Sequence, residues 1–188
     1  MDALVFLAEG FEELEAVTPL DLMRRAGLDV GTVSLTGKRA VTGSHGVTIQ
    51  ADTIFEDITQ ESAAAGMLVL PGGPGTSALK AHRGLHNLLM SHYSAGKKLG
   101  AICAAPSVLA MLGLLDGKKA VCHPSVRDEL SSADLSENPV ETDGQITTSR
   151  GAGTALNFGL ALVRELKGAE AASKIGSDII ADERIMGN

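Results

Sequence analysis

Tryptophan is absent from this chain and aromatic residues make up only 3% of it, so any sizeable core must be built from Val, Leu, Ile and Ala. Cysteine is nearly as scarce. Cys103 and Cys122 are the only two, too few for a disulfide scaffold, and they read as free thiols. Basic runs are missing beyond the pairs Arg24-Arg25, Lys38-Arg39, Lys97-Lys98 and Lys118-Lys119, and the net charge is −7. That balance argues against a nucleic-acid partner, which needs a local basic surface. The uncharged run between Lys98 and Asp116 approaches the length of a membrane span. Gly, Pro and Ser interrupt it, so no membrane partner is expected. The opening residues lack a cationic lead and are broken by Glu9, so they do not read as a signal peptide, and the expected compartment is the cytoplasm.

What is there fits one globular domain over residues 1–188, with 44% hydrophobic and 21% charged residues in the ordinary range. The 22 glycines suit tight loops and close helix–sheet contacts. Short apolar strands are expected over 2–8, 30–35 and 67–70. A helix over 11–26 carries acids in its first turn and Arg24-Arg25 in its last, as the helix dipole prefers. Pro19 is a candidate kink. A hairpin-like excursion is read over 41–50, a helix over 84–95, and a short strand near Ala120-Val121. A polar loop follows over 127–138. A hairpin over 140–149 turns at Asp143-Gly144, and helices cover 154–167 and 169–180. Nearly all-apolar strands alternating with helices imply a mostly parallel sheet with helices on both faces.

The stretch around Lys98-Lys-Leu-Gly-Ala-Ile-Cys-Ala-Ala-Pro organises the rest. It reads as a strand over 99–102, a sharp turn at Cys103, and a helix opening near Pro106, where a missing N–H costs nothing. This is the layout of a nucleophile elbow with Cys in place of Ser. A Cys among Ala and Ile also fits a small core residue. In an open α/β sheet, however, sites lie beyond the carboxyl ends of the strands. Three unusual loops end strands there: Glu9-Gly-Phe-Glu-Glu-Leu-Glu, Pro71-Gly-Gly-Pro-Gly and Cys103-Ala-Ala.

A thiol of pKa about 8.5 must fall to about 7 to be half ionised at neutrality, a cost of about 2 kcal/mol. A helix N-terminus supplies about 0.3–1 kcal/mol, whereas a hydrogen bond to the anion adds about 1.5–3 kcal/mol. The donor is an amide of Gly72-Gly73, a histidine, or a carboxylic acid kept protonated by burial. Glu12, Glu13 and Glu15 are all candidates for that acid, and spacing does not choose among them. A carboxylate would repel the thiolate, so the partner must show a raised pKa.

His123, beside Cys122 and before Pro124, is placed to shuttle protons or to be an ordinary loop histidine. His82 and His86 have a metal-compatible i, i+4 spacing, but Arg83-Gly84 argue against a continuous helix, and no metal is expected. Pro71-Gly-Gly-Pro-Gly-Thr-Ser lacks the lysine of a P-loop, and Gly151-Ala-Gly-Thr breaks the dinucleotide fingerprint. No nucleotide cofactor is expected.

Together, Glu12-Glu-Leu-Glu-Ala-Val, Asp21-Leu-Met-Arg-Arg-Ala-Gly, Leu70-Pro-Gly-Gly, Ala101-Ile-Cys-Ala-Ala-Pro, His123-Pro and Thr148-Ser-Arg-Gly-Ala-Gly-Thr resemble the ThiJ/PfpI superfamily. Within it the chain is similar to the Parkinson-associated deglycase (DJ-one) and bacterial YajL-type branch. The resemblance implies a flavodoxin-like three-layer α/β sandwich of the class I glutamine amidotransferase-like type, a homodimer, and no cofactor. It assigns Cys103 as nucleophile, Glu15 as the protonated acid bonded to it, and His123 as proton carrier. The backbone amides of Gly72, Gly73 and Ala104 form the implied oxyanion site. The chain departs from the pattern at Ala152, in a segment where members often carry Gly-Pro-Gly-Thr, and at His45, where relatives commonly carry Arg near the subunit contact.

The implied activity is that of a cysteine enzyme acting on 2-oxoaldehydes such as methylglyoxal, or on their adducts with amines and thiols. That covers glyoxalase chemistry and protein or nucleotide deglycation. The competing expectation is an oxidative-stress sensor or redox-regulated chaperone working through oxidation of Cys103. A cysteine peptidase, known from other branches, is the third.

Overall fold

The computed structural model describes residues 1–182. In chain order the strands and helices are β1 (Ala3–Leu7), α1 (Glu13–Arg25), β2 (Val30–Ser34), β3 (Ala40–Thr42), β4 (Thr48–Gln50), β5 (Thr53–Ile54) and α2 (Gln60–Ala63). They continue as β6 (Met67–Leu70), α3 (Thr76–Ala81), α4 (Arg83–Ser94), β7 (Lys98–Ile102), α5 (Pro106–Met111), β8 (Lys119–Ala120) and β9 (Asp134–Leu135). The last are β10 (Val140–Asp143), β11 (Ile146–Ser149), α6 (Ala155–Lys167) and α7 (Ala169–Asp178).

Seven strands form the main sheet in the order β10-β11-β7-β6-β1-β2-β5. Only the β10–β11 edge pairing is antiparallel. Strand residues alternate between faces, and each face has its own core. Leu4, Phe6, Leu68, Leu70, Leu99 and Ala101 pack with Leu79, Leu85, Leu89, Val108 and Leu109 of α3, α4 and α5. Val5, Leu7, Met67, Val69 and Ile102 pack with Leu22, Met23, Phe158, Leu162 and Ile175 of α1, α6 and α7. The result is the three-layer, mostly parallel sandwich expected.

Packing against α6 explains why α1 runs unbroken through Pro19. A Cβ at Gly159 would lie 3.0 Å from the Pro19 Cα and 2.6 Å from a Leu22 methyl. The two helices therefore touch where α6 carries no side chain. Among the described residues no helix is long and apolar enough to cross a membrane.

Three local expectations need correction. The strand near Ala120 sits outside the main sheet, in a two-stranded parallel pair with β9. The hairpin turn lies one residue later than read: Asp143 pairs with Ile146, leaving Gly144 and Gln145 as the central residues. Gly144 has φ +60, which suits glycine at the first central position of a type II′ turn. Helix α3 had no sequence signal of its own, because it is only six residues long and follows directly on Pro71-Gly-Gly-Pro-Gly.

Topology places the site. The chain leaves β1 towards β2 on one side, while β6, β7 and β11 lie on the other. The order reverses between β1 and β6, and ligands of such sheets bind in that crevice, outside the carboxyl ends. The Glu9–Glu15 loop, the Pro71–Gly75 loop and Cys103 all emerge there.

Candidate functional site

Cys103 follows directly on β7 and has φ +64, a left-handed conformation that costs a non-glycine residue about 1–2 kcal/mol. The surroundings hold it there. The Cys103 N–H donates to the Ser149 carbonyl at 2.9 Å, and the Cys103 carbonyl accepts from the His123 N–H at 2.8 Å. Pro106 then opens α5. The strand–turn–helix reading of this stretch is therefore correct, and the thiol is only half-buried.

Glu15 comes from the first turn of α1 and is 1% exposed. Its carboxylate accepts from the Gly72 N–H at 2.9 Å, and its side chain interacts with the Cys103 thiol. The close approach requires glycine at position 72. A Cβ there would lie 2.7 Å from Glu15 Oε2, 2.8 Å from Cys103 Cβ and 2.9 Å from the Ala104 amide nitrogen. A Cβ at Gly151, by contrast, would rest 3.6 Å from His123 Cδ2, 3.8 Å from Cys103 Sγ and 3.9 Å from Glu15 Oε1. The three side chains thus converge on one point beside Gly151.

Of the expected amide donors, Gly73 and Ala104 face the thiol. Gly72 does not: its N–H is committed to Glu15, so it positions the acid and leaves the oxyanion site to the other two. His123 is exposed, and its Nδ1 accepts from the Ser125 N–H at 3.2 Å and pairs with the Ser125 hydroxyl at 2.8 Å. Those bonds leave the ring proton on Nε2. Ser125 was not singled out by the sequence, although an S-x turn after His-Pro is where such an orienting hydroxyl would sit. The Gly151-Ala-Gly segment stands in the sequence only as a broken dinucleotide fingerprint; the structure puts Gly151 against the thiol. The adjoining depression is lined by His123, Pro124, Arg150, Gly151 and Thr154.

Burial raises the Glu15 carboxyl to about 7, against hydrogen bonds from Cys103 and Gly72, with the charge of Glu12 adding to the rise. The expected upward shift in one of the three glutamates falls on Glu15. The Cys103 thiol does not fall as expected. Burial and the facing Glu15 carboxylate push it up to about 12, and the Gly73 and Ala104 amides only partly oppose this. Both shifts have one origin: two acids packed together out of water resist ionising together. The pair therefore keeps one proton through neutrality.

The other candidates lie elsewhere. Glu13 turns outward, where its carboxylate accepts from the His45 N–H at 2.7 Å and pairs with His45 Nδ1 at 2.9 Å. Burial opposes its ionisation, but the His45 and Val47 bonds win and hold it at about 2. Glu12 caps α1, accepting the Glu15 N–H at 2.8 Å. His45, beside Glu13 and 3.9 Å from Glu12, is itself shifted upward by the hydrogen bond and charge of Glu13. Glu12, Glu13 and His45 present ligand atoms within 4.8 Å of one another, but the hydrogen bonds just described account for that grouping. His82 caps α4 by accepting from the Leu85 N–H, and His86 bonds the Leu79 carbonyl. Cys122 is a buried thiol in the core beneath α5.

A flavodoxin-like sandwich with a cysteine elbow at its topological switch, facing a buried acid, defines a class of cysteine-centred α/β proteins. Sequence comparison makes the class specific. A profile of the DJ-1/PfpI family matches residues 1–165, and the chain belongs to that family. It is 37% identical over 182 residues to the "Parkinson disease protein 7 homolog" of Danio rerio, covering 95% of this chain and 96% of the relative. It is 39% identical over 181 residues to "Protein DJ-1 homolog A" of Arabidopsis thaliana, covering 94% of this chain and 46% of the relative, so it spans less than half of that protein's length. The "Glutathione-independent glyoxalase DJR-1.2" of Caenorhabditis elegans is 33% identical over 172 residues, covering 89% of this chain and 90% of the relative. Among solved structures, Drosophila melanogaster DJ-1beta superposes with a TM-score of 0.89 at 36% identity, covering 97% of this chain and all of the other.

Proposed function

We propose that this protein is a cofactor-independent cysteine enzyme acting on 2-oxoaldehydes, methylglyoxal foremost, or on their adducts with amines and thiols. The observation that carries the reading is the meeting of Cys103, Glu15 and His123 at Gly151, with the Gly73 and Ala104 amides facing the sulfur. The glyoxalase name of the Caenorhabditis relative agrees with it.

In this reaction the pair's single proton passes from the Cys103 thiol to Glu15 as the sulfur attacks. The Cys103 thiolate adds to the aldehyde carbon, the oxyanion is met by the Gly73 and Ala104 amides, and Glu15 supplies the proton that completes a hemithioacetal. The former aldehyde hydrogen leaves as a proton and is returned to the adjacent ketone carbon, and the hemithioacetal hydroxyl proton passes to the ketone oxygen, with Glu15 and His123 as carriers. That gives a thioester of lactate. Water then cleaves the thioester, freeing lactate and the thiol. One carbon is oxidised and its neighbour reduced within the same molecule, so the net change is addition of one water and no external oxidant is required. Consumption of free aldehyde also depletes its reversible adducts, which links the glyoxalase and deglycase forms of the activity.

Incubation with methylglyoxal and assay of lactate tests the reading. Cys103→Ala should lower output at least about 100-fold; equal output from both proteins contradicts it. The redox-sensor or chaperone reading keeps one observation in its favour: Cys103 is half-buried while Cys122 is 3% exposed. It requires oxygen addition at Cys103 ahead of Cys122 under mild peroxide, followed by altered binding of unfolded protein. A homodimer is part of the proposal. Leu14, Val17 and Val47 are 56%, 42% and 52% exposed beside the α1 N-terminus, an apolar face that a second copy would cover; a monomeric mass by light scattering would contradict it.

A further inference from the structure

We propose that Glu12, which takes no part in the chemistry above, is a positioning residue that holds Glu15 against Cys103 and favours transfer of the shared proton to Glu15. This rests on the reading of Cys103 and Glu15 as a reactive pair. The geometry is a closed ring of three hydrogen bonds. The Glu12 N–H donates to the Gly72 carbonyl at 3.1 Å, the Gly72 N–H donates to the Glu15 carboxylate at 2.9 Å, and the Glu15 N–H donates to the Glu12 carboxylate at 2.8 Å. The ring ties the start of α1 to the loop after β6, so neither the acid nor the loop can shift without breaking one of its bonds.

Residue choice points the same way. Ser, Thr, Asp and Asn are the usual helix caps, and any of them would supply the capping oxygen. Glutamate satisfies the same N–H while placing a full negative charge on the Glu15 side of the site. That charge raises the proton affinity of Glu15. The groups acting chiefly on Cys103 are its burial, Glu15 and the two facing amides. Glu12 thus acts on one partner of the pair and moves the proton towards the carboxyl. The titratable groups around it are Glu13 and Glu15 on α1, His45 on the β3–β4 turn and Cys103 at the elbow.

The test is the pH profile of Cys103 alkylation, read by mass, with Tm measured alongside. Glu12→Gln keeps a capping oxygen and removes the charge. It should leave Tm within a few degrees and lower alkylation near neutrality about two- to fivefold. Glu12→Asp keeps the charge and caps well, and should restore the wild-type profile. Superimposable profiles for wild type and Glu12→Gln overturn the proposal. So does an equal shift in the Gln and Asp variants, which would mean shape matters and charge does not. Glu15→Gln separates the two levels. If it leaves the profile unchanged, the underlying reading of the pair fails; if it shifts the profile while Glu12→Gln does not, only the role of Glu12 fails.

Discussion

On the inner side of the first α1 turn, Glu15 is sealed against a thiol and the Gly72 and Ala152 amides, and its carboxyl holds a proton up to about 7. On the outer side, two residues earlier, Glu13 meets the His45 ring, two backbone N–H groups and the Ser44 hydroxyl, and stays ionised down to about 2. Identical side chains on one helical turn thus differ widely in proton affinity. Position along the helix is not the cause. The inner carboxylate is buried with acids beside it, which outweighs its donors, whereas the outer one has its charge spread over donors and a cation.

Each region depends on a glycine, and substitution there breaks the comparison most strongly. Gly72→Ala would drive a methyl into Glu15, Cys103 Cβ and the Ala104 backbone, all under 3.0 Å. Two of those contacts are with the elbow, which cannot swing away. A loss of about 2–3 kcal/mol in denaturant unfolding is expected, with lactate formation falling at least about 100-fold.

Next in size is the pH dependence of stability, which has opposite sign in the two regions. The folded pKa of Glu15 lies above its ordinary value of 4.5, at about 7. Its contribution is therefore fully present below 4.5 and is lost as pH rises towards 7, about 2–3 kcal/mol in all. For Glu13 the folded value is depressed from 4.5 to about 2, so its contribution is present above 4.5 and lost as pH falls towards 2. Unfolding midpoints measured across pH should lose the neutral-side decline in Glu15→Gln and the acid-side decline in Glu13→Gln. A curve unchanged in either variant would remove that half of the comparison.

A smaller effect is expected at Gly43, where a Cβ would meet the Glu13 carboxyl at 2.5 Å. That carboxyl ends a flexible side chain and can move, so Gly43→Ala should cost about 1 kcal/mol and leave lactate formation intact. Smallest of all is His45→Gln. The ring is exposed and its pairing screened, so stability near neutrality should barely change, while the acid-side decline of Glu13 moves to higher pH.

Much of this was legible in the sequence because it depends on local rules. Apolar strands set the parallel sheet, Pro106 marked the start of the elbow helix, and three strand-ending loops located the crevice. Choosing Glu15 over Glu12 and Glu13 was not possible from spacing, because the three sit within one turn and their partners lie far away in sequence, at Gly72 and Cys103 for one and at His45 for another. The roles of Gly72 and Gly151 were hidden for the same reason: a glycine does not announce which distant side chain fills the space it leaves. The thiol's upward shift escaped because the expectation weighed the groups facing the sulfur and not the burial of the sulfur itself, the largest cause of the rise. Helix α3 was missed because six residues carry too little periodicity to register.

The location of the single proton in the Glu15–Cys103 pair tests the account most directly. Infrared difference spectra of wild type against Glu15→Gln and Cys103→Ala, taken near neutral pH, distinguish a protonated carboxyl from a carboxylate and a thiol from a thiolate. The account predicts an S–H stretch that disappears in Cys103→Ala, together with a carboxylate band, growing as pH rises through 7, that disappears in Glu15→Gln, because the one proton rests on the thiol until the sulfur attacks. A protonated-carboxyl band lost in Glu15→Gln that persists well above pH 7, with no S–H stretch assignable to Cys103, would contradict it.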